Sequence, residues 1–427
     1  MKQKRTLLLI AISLFAFTLL MCEYTDYPDP IWDEDDAGNA APVITSMSPP
    51  DLAYEGITEI TITGSNFSSV PSQNQVTFNG YAARLDEANS TSTQLVLTTP
   101  VFITESRGSE FNAVDSVQIL VAAQGAYSPA EYDQPFRVER AVVKLGGFAG
   151  EAPAKNATTV TADANGNIYV AAEDKILYKI DSVGVRTAYA TGLSGAERDL
   201  KAADPGTVYF ARNIPYIYRV DPGGGASVRW LKAGSKVACL DFDQNQDIYA
   251  GGNNDSLYWV DVDAEFARGV APAEDYVYNS LRVYNGYVYV SGEYEGTDTN
   301  VTVTQGIWKH EIVAGQDTLG ARTLVYDWAN YTYADEQDIT SFVIDENGLL
   351  YIGTSTGSGP AIVNLDEGTQ TTMPFYDTVL DAPAEHLFMG NDTYIYAVIV
   401  DPDNSDAVTT IPVRIAQSNT GSTYYGH

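Results

Sequence analysis

Four tyrosines stand 40 residues apart, Tyr169, Tyr209, Tyr249 and Tyr289, each inside a short apolar run of strand character. A period of about 40 holding about four strands is that of a β-propeller blade, a small sheet that hides its two faces only by stacking on neighbouring sheets. Tyr169, Tyr209 and Tyr249 are each followed 12 residues on by an aspartate, Asp181, Asp221 and Asp261, which closes the runs ILYKID, YIYRVD and SLYWVD. The repeat continues more loosely at Tyr289, Tyr351 and Tyr396, whose following runs end at Glu311, Asp366 and Ala416, making six units. Asn165-Gly166, Asn285-Gly286 and Asn347-Gly348 precede the tyrosine strands and supply residues that tolerate positive φ in tight turns. Each unit therefore reads strand, turn, strand, loop, strand, with a fourth strand expected at 185–189, 227–231 and 322–326 in three of them. The last unit has no room for its own fourth strand, so the run from Ala141 to Leu145 is expected to supply it and latch the ring.

Ahead of the repeat, from Pro42 to about Val138, short alternating strands separated by turns suit a small β-sandwich. Ser48-Pro49, Thr61 to Phe67 (TITGSNF), Val76 to Gly80 (VTFNG) and Leu95 to Pro100 stand in the order of the IPT/TIG family of immunoglobulin-like domains, which this segment resembles. The resemblance implies a spacer or adhesion module in which Gly64 and Gly80 serve turns. Residues 139–427 resemble the superfamily of six-bladed propellers that includes NHL-repeat proteins and gluconolactonase-like lactonases, through the pattern clearest at Asp163 to Val170 and Asp345 to Ile352. Such a fold hosts hydrolases, lyases, receptors and scaffolds alike. The expected class is thus all-β, with a signal peptide at 1–21, an acidic tether at 22–40, an immunoglobulin-like sandwich at 41–138 and a six-bladed β-propeller at 139–427.

The amino terminus has Lys2, Lys4 and Arg5, then an apolar run from Leu7 to Met21, then Cys22. The run is short for a membrane span and suits an export signal. Leu19-Leu20-Met21-Cys22 resembles the cleavage box of bacterial lipoproteins, in which Cys22 would carry lipid; Met21 departs from the small residue usual there. The implied location is the bacterial cell envelope, outer membrane or cell surface, with the membrane reached through the lipid anchor only. Cys239 is the other cysteine, placed in a predicted inner strand as a small core residue. With 56 acidic against 24 basic residues and a net charge of -32, the chain repels nucleic acid and anionic membrane surfaces.

In a propeller the connections into each inner strand and the loops between second and third strands open on one face. On that mouth the connections 326–338 and 376–386 bring Tyr326, Trp328, Tyr331, Tyr333, Tyr376 and His386 beside Asp335, Glu336, Asp338 and Glu385. Aromatic rings beside carboxylates suit carbohydrate, whose rings offer apolar faces and hydroxyls; ordinary packing of a tyrosine-rich chain is the competing reading. The lactonase resemblance implies a divalent cation at the axis, for which Asp199, Asn279, Asp338 and Glu385 are the candidate Ca2+ ligands, against a background of axial polar residues around water. Asp401 to Asp406 lacks the spacing of a calcium loop, and His310, His386 and His427 show no metal-ligand spacing. Asp181, Asp221 and Asp261 are expected to cap the turns that follow them. Three functions stay open: a ligand-binding or scaffold module whose partner is a polysaccharide or another envelope protein, a calcium-dependent lactonase-like hydrolase, and a purely structural envelope protein.

Overall fold

The computed structural model describes residues 38–103, 113–148, 155–203, 206–253, 256–272, 274–313, 318–377, 379–380, 382–402, 409–417 and 419–426. The signal segment, Cys22, most of the tether and most of the Asp401 to Asp406 turn lie outside the described residues. Among the described residues no helix is long and apolar enough to cross a membrane.

The sandwich forms because its strands alternate. In Glu59–Ser65 the side chains of Ile60 and Ile62 point inward, and in Asn74–Phe78 those of Val76 and Phe78 do the same. One sheet orders Val43–Ser48, Glu59–Ser65, Gln94–Thr98 and Arg84–Leu85; a second orders Ala130–Glu131, Ile119–Ala123, Asn74–Phe78 and Tyr81–Ala82; a small third orders Leu52–Tyr54, Arg137–Glu139 and Ala113–Val114. Leu95, Leu97, Ile119, Val121 and Phe136 complete the core between them. The Gly64 turn requires glycine, since a Cβ there would meet the Val43 carbonyl oxygen at 2.0 Å. Asn66 then takes a φ of 61° and its amide donates to the Ala41 carbonyl at 2.9 Å. Asn39, read as tether, already pairs with the sandwich, its N–H donating to Gly125 O at 2.7 Å.

The remaining described residues form six sheets, antiparallel except where Gly225–Ala226 adds parallel to Arg186–Thr191 at the edge of the first. Their inner strands are Ala157–Ala162, Asp199–Ala203, Cys239–Phe242, Tyr276–Tyr284, Ile339–Ile344 and Ala384–Met389. Each packs against the next, and that of blade six packs against that of blade one, which closes the circle. Fourth strands occur at Arg186–Thr191, Val228–Val237 and Thr323–Asp327, close to the expected runs. Val142–Lys144 pairs with the third strand of blade six, Val142 opposite Ile415 and Val143 opposite Arg414, so the latch is the segment that follows the sandwich.

The repeated tyrosine has a physical reason. Its ring is buried, where an unpartnered hydroxyl is costly; in three of the six units an aspartate at the preceding turn supplies the acceptor, and for Tyr289 Glu367 does so at 3.2 Å. Tyr169 donates to Asp163 Oδ2 at 3.1 Å, Tyr351 to Asp345 Oδ2 at 3.3 Å, and Tyr396 to Asp392 Oδ2 at 2.7 Å. The other oxygen of Asp163 accepts the N–H groups of Asn165 and Asn167, and Asp345 does likewise for Asn347 and Leu349. One carboxylate thus shapes the turn and anchors the ring. At the strand ends, Asp181 and Asp261 cap the next turn, accepting from Val185 N at 2.8 Å and Ala264 N at 2.7 Å, whereas Asp221 pairs with Arg219 at 2.7 Å.

Residues 419–426 fold across the turn face of the ring and stop its axis. Tyr424 is 6% exposed, with its hydroxyl donating to Ala202 O at 2.5 Å and its N–H donating to Asn391 Oδ1 at 2.7 Å. Its ring meets Phe388 and Phe242 edge-on at 5.1 and 6.1 Å.

Candidate functional site

The inner strands carry charged side chains into the axis. Asp199 and Lys201, two residues apart on one strand, are 2% and 0% exposed; Asp241, Arg282 and His386 come from three other blades and are also buried. Lys201 Nζ lies 2.6 Å from Asp199 Oδ1, and His386 Nε2 lies 3.1 Å from the same oxygen. Asp199 Oδ1 also accepts the Leu200 N–H at 2.8 Å, and Oδ2 accepts the Leu240 N–H at 2.9 Å. Arg282 donates to the carbonyls of Leu281 and Leu387 at 2.6 and 2.7 Å, while Asp241 Oδ2 accepts from Val283 N at 2.9 Å.

Burial drives each of these groups toward its neutral form, and the partners decide the outcome. For Asp199, burial pushes upward, but Lys201, His386 and Arg282 outweigh it and hold the carboxyl well below its usual range. Burial lowers Lys201, assisted by Arg282 and opposed by Asp199 and Asp241. Burial likewise lowers His386, against the pull of Asp199. Asp241 is raised by burial, against the pull of Lys201 and Arg282. Two acidic and two basic side chains thus share the buried axis, with Lys201 directly against Asp199. Cys239 lies at 0% exposure with its thiol pushed up by burial, which suits a packing residue.

This donor set does not fit a calcium ion. The oxygens of Asp199 are committed to an ammonium, an imidazole and two backbone N–H groups. Asn279 Oδ1 accepts from Ser291 Oγ at 2.5 Å and its amide donates to Ile339 O at 2.6 Å. Asp338 and Glu385 are exposed, and among the described residues no three His, Cys, Asp or Glu side chains gather as a metal group. Hard-cation sites need several converging uncommitted oxygens.

The expected aromatic rim is also corrected. Tyr326, Trp328 and Tyr331 are 3%, 2% and 6% exposed and belong to the core beside Ile339 and Phe342. The cause is a single 3-10 turn, Trp328–Asn330, capped by Asp327, which turns the indole inward so that its N–H donates to Gln337 O at 2.7 Å. Trp328 and Tyr331 pack at 4.4 Å between centroids, and Tyr333, half-buried, meets Tyr331 at 5.7 Å. Tyr376 stands apart, stacked on Phe375 at 3.7 Å and bordering a cleft of about 510 Å3 with Tyr81, Arg84 and Asp377. His386 belongs to the axial network. The six residues therefore form no common surface.

Sequence reasoning missed Lys201, Asp241 and Arg282, although a signal exists. Thr161, Lys201, Asp241 and Arg282 pair directly opposite Tyr169, Tyr209, Tyr249 and Tyr289. Polar residues recurring at one inner-strand position mark the axis.

Comparisons with known proteins bear on the fold alone. None of the curated proteins matches the chain. Luciferin-regenerating enzyme is similar in fold, with a TM-score of 0.50 at 13% identity over 66% of this chain and 98% of that one. A structural genomics protein of unknown function from Bacteroides thetaiotaomicron gives 0.48 at 15% identity, covering 91% of this chain and 100% of that one. An auxiliary nutrient binding protein from the same organism gives 0.43 at 14%, covering 90% and 92%. Identities this low speak for fold and nothing more. Residues 42–132 match the IPT/TIG domain family, and the chain is accordingly all-β, an immunoglobulin-like sandwich followed by a six-bladed propeller.

Proposed function

We propose that this protein is a ligand-binding or scaffold module of the bacterial cell envelope, exported and held to the membrane by lipid on Cys22. The observation that carries the choice over a calcium-dependent lactonase-like hydrolase is the Lys201 ammonium at 2.6 Å from Asp199. A built-in cation stands where a metal would need a free carboxylate, and Tyr424 seals the axis from the turn face. The axis then acts as a polar axle that fixes the blades, leaving recognition to the outer surfaces. The sandwich fits the role of spacer, and a net charge of -32 keeps the exposed surface soluble and selective against anions.

The test is a glycan and soluble-protein binding screen of full-length protein in detergent, with and without calcium, beside a lactone hydrolysis assay. The reading predicts calcium-independent retention of a ligand and no metal-dependent hydrolysis. Calcium-dependent lactone hydrolysis that disappears in Asp199→Asn would overturn it. Mass spectrometry of the mature amino terminus tests the anchor, with an acylated Cys22 expected and an unmodified one contradicting it.

A further inference from the structure

On the turn face, opposite the mouth, a cleft of about 360 Å3 opens between blades three and four. That volume falls within the roughly 300–1,000 Å3 typical of small-molecule sites. Trp259, Tyr249 and Tyr425 line it together with Val283, Ile312 and Val313. Trp259 and Tyr425 are partly exposed and pack on the buried cluster below. Tyr425 is there because the tail runs across this face, so the cleft is completed by a segment far away in sequence. Arg268 lies over the indole at 5.1 Å from its centroid, leaving the rest of the ring to border the space.

The polar side of the cleft is Asp243, Gln244, Asn245 and Asp247. Asp243 is spent on its turn, accepting from Asn245 N and Asp247 N at 2.8 and 3.1 Å. Asp247 is half-spent, since one oxygen accepts Val262 N at 3.1 Å and the other is uncommitted. Among the described residues the side-chain amides of Gln244 and Asn245 and the indole N–H of Trp259 have no hydrogen-bond partner, and Gln244 and Asn245 are exposed. Among the described residues that line the cleft none is cationic. Burial, with Asp243, Asp261 and Asp263 as neighbouring like charges, pushes the Asp247 carboxyl up, which marks the site as one where a positive charge would be welcome.

The geometry points to a binding site for a small amine-bearing sugar: a protonated amine at the open oxygen of Asp247, hydroxyls on Gln244 and Asn245, and the apolar ring face against Trp259 and Tyr425. A charge-assisted hydrogen bond and cation–aromatic attraction favour the amine over a neutral sugar, and aromatic walls favour a ring over a linear polyamine. This assignment rests on the binding-module reading above and names its ligand class.

The experiment is calorimetric titration of full-length protein in detergent with glucosamine, and with N-acetylglucosamine and glucose as uncharged controls. Saturable glucosamine binding is expected, about tenfold or more tighter than either control. Asp247→Asn should remove that preference and Trp259→Ala should remove binding, with melting curves showing that both variants fold. Equal affinity for glucosamine and glucose, or glucosamine binding indifferent to Asp247→Asn, overturns the assignment. Saccharide binding that survives both substitutions sinks the cleft and leaves the binding-module reading standing; silence toward every saccharide and partner in the screen counts against both.

Discussion

Replacing Lys201 by methionine keeps most of the side chain's volume and deletes its charge. Lys201 is fully buried, and its ammonium is the direct counter-charge of Asp199, whose side chain is 4% exposed. Removing one partner of a buried pair leaves the other ion desolvated and costs about 3–5 kcal/mol. At ~2–4 °C per kcal/mol for a large domain, the melting temperature should fall on the order of 10 °C. Lys309→Met is the control, because its pair with Glu367 is partly exposed and should be worth under about 1 kcal/mol. Adding Asp199→Asn to Lys201→Met should recover part of the loss, since the stranded charge is gone while the Leu240 N–H keeps an acceptor.

The pH dependence sharpens this prediction. Burial holds the folded His386 below the ordinary 6.5, so the stability it contributes is present above that pH and is lost as pH falls toward its folded value. In Lys201→Met the repelling ammonium is absent and Asp199 remains, which lets the imidazolium form inside the fold. Urea denaturation followed by tryptophan fluorescence should therefore show the variant's deficit shrinking between about pH 8 and about pH 5.5. A variant as stable as the parent at the higher pH, or a deficit that widens on acidification, would refute the pairing of Lys201 with Asp199 at the axis.

Further outcomes follow from single contacts. Asp247 is pushed up to about 6 by burial, despite the Val262 N–H, with Asp243, Asp261 and Asp263 adding to the rise. Its protonated form is favoured by folding, a contribution full below pH 3.8 and lost as pH rises through about 6; after allowance for solvent, Asp247→Asn should stabilise the protein by about 1 kcal/mol near pH 7 and be neutral in acid, and chemical denaturation at the two pH values checks it. Tyr169→Phe deletes the hydroxyl bond to Asp163 and should cost about 1 kcal/mol in the same assay, an unchanged midpoint contradicting the blade motif's proposed role. Tyr424→Ala empties the axial stop between Phe242 and Phe388 and should cost about 3–5 kcal/mol; a parent-like melting temperature would mean that the tail contributes nothing to the ring.

The propeller was readable because each unit buries a tyrosine at the same strand position. Its hydroxyl needs an acceptor, which a turn aspartate supplies for Tyr169, Tyr351 and Tyr396 and Glu367 supplies for Tyr289, so ring and acceptor recur along the chain. The latch was readable for a related reason, since the sixth sheet lacked an edge strand and Val142–Lys144 was the nearest unassigned run. The mouth was not. Whether Trp328 faces solvent or core depends on a three-residue turn and on Gln337 O lying within reach, which aromatic content alone does not encode. The axial network left its trace in Thr159, Asp199, Cys239, Ser280, Ser341 and His386, the polar or small residues two positions before or near the partners of the signature tyrosines, but which of them would pair depends on the ring closing. The turn-face cleft needs Tyr425 against blades three and four, a contact between distant parts of the chain.

The central claim, that Lys201 and Arg282 rather than a metal ion balance the axial carboxylates, is tested most directly by thermal unfolding across a calcium titration. A ligand of the folded state present at about 100 times its dissociation constant adds roughly 2.7 kcal/mol, so a resident site would shift the melting temperature in a saturable way. The account predicts no saturable shift in the parent protein; a saturable shift that Asp199→Asn abolishes would contradict it.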